Sequence, residues 1–148
     1  MKIEGGRDVS DDIEKLVATG IPVLGHIGLL PQTVKAIGGY RKFGVDRDEA
    51  ADLYTDAIAL EEAGCFAVVA EMMDEAVAKE LSKQILPPLI GIGSGAGCDG
   101  QILVSTDLLG YGLRKPPPFV KSYANLSQII SKALSQFVSE VRDGKFPS

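Results

Sequence analysis

The chain has 148 residues, of which 45% are hydrophobic and 24% charged, and its formal net charge is −5. A domain of that size buries roughly 68–70% of its unfolded-chain surface, so the composition excludes a disordered polymer. The acidic balance comes with no basic stripe, which excludes nucleic acid as a partner, and no apolar run approaches the roughly 20 residues that span a bilayer.

The segment Met1–Gly6 has no apolar region of the kind a signal peptide carries. Cys65 and Cys98 stand far apart, without CxxC spacing or a histidine cluster. They read as reduced thiols in a cytosol-like compartment and not as metal ligands.

Short apolar runs alternate with helical patterns along the chain, as in βα units around a parallel sheet. Residues 2–5 read as the end of a strand. Ser10 or Asp11 is placed to cap a short helix carrying Ile13, Leu16 and Val17, which Gly20 stops. Ile21 to Leu24 form the next buried strand, which ends in Gly25-His26-Ile27-Gly28. A polar loop, Gly38 to Gly44, leads into a helix from about 46 to 63, whose apolar positions Leu53, Ala57, Ile58 and Leu60 keep the helical period. Gly64 is its stop.

Cys65 to Ala70 is a third strand, ending in Glu71. Asp74 caps a helix to about Lys83. Pro88 to Ile92 is a fourth strand, opening into Gly93-Ser94-Gly95-Ala96-Gly97, and Gln101 to Val104 a fifth. Past the stiff run Lys115-Pro116-Pro117-Pro118-Phe119, an amphipathic helix carries Ile129, Ile130, Ala133, Leu134, Phe137, Val138 and Val141 on one stripe, with Asn125 or Ser127 as its cap. Eight βα units take about 250 residues. The expected fold is therefore a partial TIM (β/α)8 barrel, about the C-terminal half, with an extended C-terminal amphipathic helix.

In such folds chemistry gathers at the C-terminal ends of the strands. Lys2, Glu4, His26, Glu71 and the glycine-serine loop at 93–97 occupy those positions. A carboxylate at the mouth of an apolar strand, as Glu71 is, suits general-base work; the plainer alternative is a glutamate facing water. His26 is the only histidine, and its flanking glycines let backbone approach a ligand; the alternative is a core histidine. Lys2 and Glu4 share a strand face and suit an anionic substrate beside a cation, unless they form an exposed pair. The 93–97 loop reads either as an anion cradle of backbone N–H groups or as a tight turn.

Several motifs occur in one order: Lys2-Ile3-Glu4-Gly5-Gly6, Pro22 to Leu29 with Pro31-Gln32, Gly38-Gly39-Tyr40, Glu71, Gly91 to Gly95, Asp99-Gly100-Gln101, Asp107 to Gly110 and Pro118-Phe119-Val120-Lys121. The ordered set resembles the ketopantoate hydroxymethyltransferase family from its fourth barrel strand to its C-terminus, over essentially the whole chain. The resemblance implies transfer of a hydroxymethyl group from 5,10-methylenetetrahydrofolate to 3-methyl-2-oxobutanoate, giving 2-dehydropantoate and tetrahydrofolate, with Mg²⁺ stabilising an enolate.

It implies Glu71 as general base, Lys2 and His26 as substrate-binding residues, and Glu4 as metal-associated. It also implies a homo-oligomer, with 125–143 as the oligomerisation helix of a single domain over 1–148. The family's two metal-binding aspartates belong to earlier strands, so this chain alone is expected to lack a complete metal site and to be inactive. Alternative readings are a Mg²⁺–enolate enzyme of the phosphoenolpyruvate mutase or isocitrate lyase type, and a non-catalytic assembly subunit.

Overall fold

Small and β-branched residues build the strands, and polar turns with glycine separate them from the helices. The computed structural model describes residues 1–147. In chain order the elements are β1 (Lys2–Glu4), α1 (Ser10–Ala18), β2 (Leu24–Gly28), α2 (Arg47–Glu62), β3 (Ala67–Glu71), α3 (Glu75–Gln84), β4 (Leu89–Ile92), β5 (Gly100–Gln101), α4 (Ser105–Leu108) and α5 (Leu126–Arg142). The five strands form one parallel sheet in the order β1-β2-β3-β4-β5. Doubly wound sheets reverse their order at a switch point, and this one does not. Sequential parallel strands with intervening helices are the arrangement of part of a (β/α)8 barrel.

The residues divide into two compact units, Met1–Ile102 and Leu103–Ser148. In the first, the strands alternate between two faces. Ile3, Ile27, Val68, Ala70 and Leu89 pack on Ile13 of α1, on Leu53, Ala57 and Leu60 of α2, and on Ala78 and Leu81 of α3. Lys2, Glu4, His26, Val69 and Glu71 alternate with that set and so belong to the opposite face. That division places the polar residues away from the helices.

Helix boundaries follow their caps. Asp46 precedes α2 and its side chain accepts from the Glu49 amide; Asp74 does the same for α3 through the Ala76 amide. Gly64, with φ +86°, ends α2 in the left-handed conformation that glycine adopts without strain.

The structure corrects four expectations. The second strand begins at Leu24 rather than Ile21, because the Ile21 amide is spent closing α1 on Leu16 O and Pro22 has no amide to give. The fifth strand is two residues long, since Val104 already turns the chain into α4. Neither Ser10 nor Asp11 caps α1: the Ser10 hydroxyl donates to Arg7 O, and the acidic Asp11 and Asp12 in the first turn complement the helix dipole instead. Asn125 stands at the N-cap of α5 without a side-chain cap bond, and Ser127 lies inside the helix.

Within the second unit, Tyr123 and Leu126 amides donate to Leu108 and Leu109 carbonyls, tying the start of α5 to the end of α4. The apolar stripe of α5 is exposed, from 41% at Ile130 to 65% at Ile129. Among the described residues no helix is long and apolar enough to cross a membrane.

Leu60 is fully buried beneath Gly25, where a Cβ would stand 2.7 Å from its Cδ1. Leu60→Ala should therefore cost about 2–5 kcal/mol in urea unfolding. A loss below about 1 kcal/mol would show that α2 does not pack on the sheet as described.

Candidate active site

The parallel register decides which side chains meet. Glu4 of β1 lies level with His26 of β2, and Gly28 of β2 lies level with Glu71 of β3. Glu4, Gly28 and Glu71 are the last residues of their strands, and His26 stands two residues before the end of β2. His26 is 1% exposed and stands between the two carboxylates. Its Nε2 is 3.3 Å from Glu71 Oε2, and its Nδ1 is 3.7 Å from Glu4 Oε1. Neither nitrogen has a hydrogen-bond partner among the described residues. A buried imidazole with both nitrogens open toward carboxylates is poised to order them, or to be ordered by a ligand.

Lys2 completes the cluster, with Nζ 3.0 Å from Glu4 Oε1. Burial works to raise the pKa of Glu4, but the hydrogen bond and charge of Lys2, aided by Gln32 and His26, outweigh it and hold the carboxyl below its ordinary value. The chain leaving β1 is anchored as well: Arg7 Nε donates to Asp56 Oδ1 at 2.7 Å and its Nη2 to Asp52 Oδ1 at 2.8 Å. The turn after β1 is thereby fixed to α2.

The structure thus brings together all four side chains singled out in the sequence. It treats the glycine-serine loop differently. Gly95 and Gly97 pack so closely on Glu75 and Lys79 of α3 that a Cβ at either would collide with those side chains. Ser94 is fully buried, and its hydroxyl donates to Ala70 O at 2.7 Å while accepting from Met73 N at 2.9 Å. The loop is a packing turn with an inward serine. Sequence reasoning missed Ser94, although a lone hydroxyl between glycines at a strand end was the available signal.

Gly28 is likewise explained by contact. Its φ is +88°, and a Cβ there would strike the Glu71 carbonyl.

The model of the family described as ketopantoate hydroxymethyltransferase matches residues 1–148. The chain belongs to this family. A 3-methyl-2-oxobutanoate hydroxymethyltransferase of Enterococcus faecalis is 51% identical over 99% of this chain and 54% of the relative. Proteins of the same name from Pyrobaculum calidifontis (48% identical, 100% of this chain, 56% of the relative) and Cenarchaeum symbiosum (51%, 99% and 56%) are similar to it as well. The chain spans about half the length of these family members.

The family resemblance implies Mg²⁺, and the donor set can be tested against it. Mg²⁺ asks for near-octahedral oxygen ligation. Among the described residues no group of three His, Cys, Asp or Glu side chains is placed to hold a metal, and Glu4 is already engaged by Lys2. These residues do not make a Mg²⁺ site by themselves.

The Lys2–Glu4 pair has a pH signature. A folded carboxyl titrating below its unfolded value adds stability at higher pH, and that stability is lost as pH falls through the lowered folded pKa. The difference in urea midpoint between the wild type and Glu4→Gln should therefore be present at pH 6 and shrink as the pH drops below about 4.5, the ordinary carboxyl value. A difference that grew on acidification would contradict the pairing.

Proposed function

We propose that this chain carries the deprotonating half of a ketopantoate hydroxymethyltransferase active site, acting on 3-methyl-2-oxobutanoate with 5,10-methylenetetrahydrofolate as the one-carbon donor. The observation that carries the reading is the convergence of Glu71, His26, Glu4 and Lys2 at one end of one sheet face, in a chain that belongs to this family. A 2-oxo acid needs a cation for its carboxylate and a base for the hydrogen beside its carbonyl.

Lys2 supplies the cation. Glu71 is the base: the C3–H bond breaks, the proton passes to a Glu71 carboxylate oxygen, and the electron pair moves into the carbonyl to form the enolate that accepts the one-carbon unit. We assign His26, whose Nε2 is 3.3 Å from Glu71 Oε2, to binding of the 2-oxo acid. Glu4 is the carboxylate we assign to the metal side of the site, as one ligand where several are needed; the proton step above rests on side chains alone.

The test is deuterium exchange at C3 of 3-methyl-2-oxobutanoate in D₂O, followed by proton NMR, which needs no folate. It is run on the chain with and without the co-expressed other half of the Enterococcus faecalis relative. Exchange is expected only in the complemented sample, and Glu71→Gln should reduce it there by about 10²–10⁴-fold with little change in KM. A Gln variant retaining more than about half of the rate would exclude Glu71 as the base, because losing a general base typically costs at least 10²-fold.

We further propose that the stripe on α5 docks on a second copy of the chain, making the protein a homo-oligomer. The exposed Ile129, Leu134, Phe137 and Val141 form a larger apolar strip than isolated surface residues do. Deleting residues 125–148 should lower the mass seen by light scattering, and an unchanged mass would refute the assignment.

A further inference from the structure

We propose that Ser94 is a positioning residue for Glu71, its buried hydroxyl pinning the backbone on both sides of that glutamate and so setting where the carboxylate meets His26. The proposal rests on the reading of Glu71 as the base and gives it a mechanical support. Ser94 Oγ donates to the carbonyl of Ala70, the residue before Glu71, and accepts from the amide of Met73, two residues after it. One hydroxyl serves as donor and acceptor at once, which alanine cannot do and a thiol does weakly.

The segment it spans is not relaxed strand. Met72 has φ +53°, in the left-handed region that a side chain of its kind rarely adopts. Such a residue persists only where its surroundings hold it, and such residues gather at functional sites. Here the surroundings are specific: the Met72 amide donates to Ile92 O at 2.9 Å, and the Phe43 amide donates to Met72 O at 2.8 Å. Ladder-type bonds thus hold Met72, and the serine hydroxyl holds its flanks. With the hydroxyl gone, Met73 N–H and one bond to Ala70 C=O are released where both residues are fully buried, and the turn that aims Glu71 is free to relax.

His26 supplies the readout. It is the only histidine in the chain, so ring ¹³C and ¹⁵N resonances of a histidine-labelled 148-residue protein report the contact between Nε2 and Glu71 without overlap. Glu71→Gln gives the reference shift for a lost carboxylate. Ser94→Ala should move the same resonances in the same direction by a comparable amount, while the amide signals of α2 and α3 stay in place.

The Met73 amide should also exchange with solvent about tenfold faster, the size expected for one lost hydrogen bond. Ser94→Cys, close in volume and weaker in hydrogen bonding, should fall between the two and serves if the alanine variant does not fold. His26 resonances unmoved in a folded Ser94 variant would overturn the proposal, even if the melting temperature fell, because Ser94 would then be structural only. Should Glu71→Gln leave C3 exchange intact, the functional reading fails while the Ser94 result still stands, so the two failures are distinguishable.

Discussion

The carbonyl of Glu71 accepts the Leu29 amide at 2.8 Å, and the Gly28 Cα lies against that same carbonyl. The end of β3 is therefore held from β2 on one side and, through Ile92 and Ser94, from β4 on the other. The acid–imidazole–acid cluster depends on this constraint. A carboxylate side chain has three rotatable bonds, so its placement against a buried ring is only as good as the backbone beneath it.

The cluster itself is a polar island on a hydrophobic scaffold. Core residues on the helix side, such as Val68, Ala70 and Leu89, carry the stability of the sheet. On the other face an imidazole has been buried with both nitrogens lacking a hydrogen bond among the described residues. Leaving such groups unpaired costs roughly 1–3 kcal/mol each. The apolar packing of Ile13, Leu60 and Leu81 on the helix side offsets that cost.

Much of this was legible in the sequence. Helices α2 and α3 were readable because Asp46 and Asp74 stand at their starts and the apolar period runs between caps. Glu71 was readable because it closes an apolar run where strand ends in βα folds converge, and His26 because it is the one histidine of the sequence and has glycines near it. What escaped depends on partners distant in sequence. The start of β2 depends on Ile21 bonding back to Leu16, which no local pattern reveals. Ser10 looked like a cap until the turn at Arg7 took its hydroxyl. The choice between an anion cradle and a tight turn stayed open for the glycine-serine loop because its close neighbours, Glu75 and Lys79, lie on a helix about twenty residues earlier.

The fit of Gly28 against the Glu71 carbonyl has a consequence for how such barrels can be recombined. In βα folds each strand with its following helix is often treated as an exchangeable module. Here the second module ends in a residue whose missing side chain makes room for the third module's backbone. A chimera cut between β2 and β3 would pair Glu71 with a foreign strand end, and any residue larger than glycine there would push Glu71 out of line with its own β4 contacts. These two strands are one inheritable piece, and a workable junction lies before Leu24 or after Ile92.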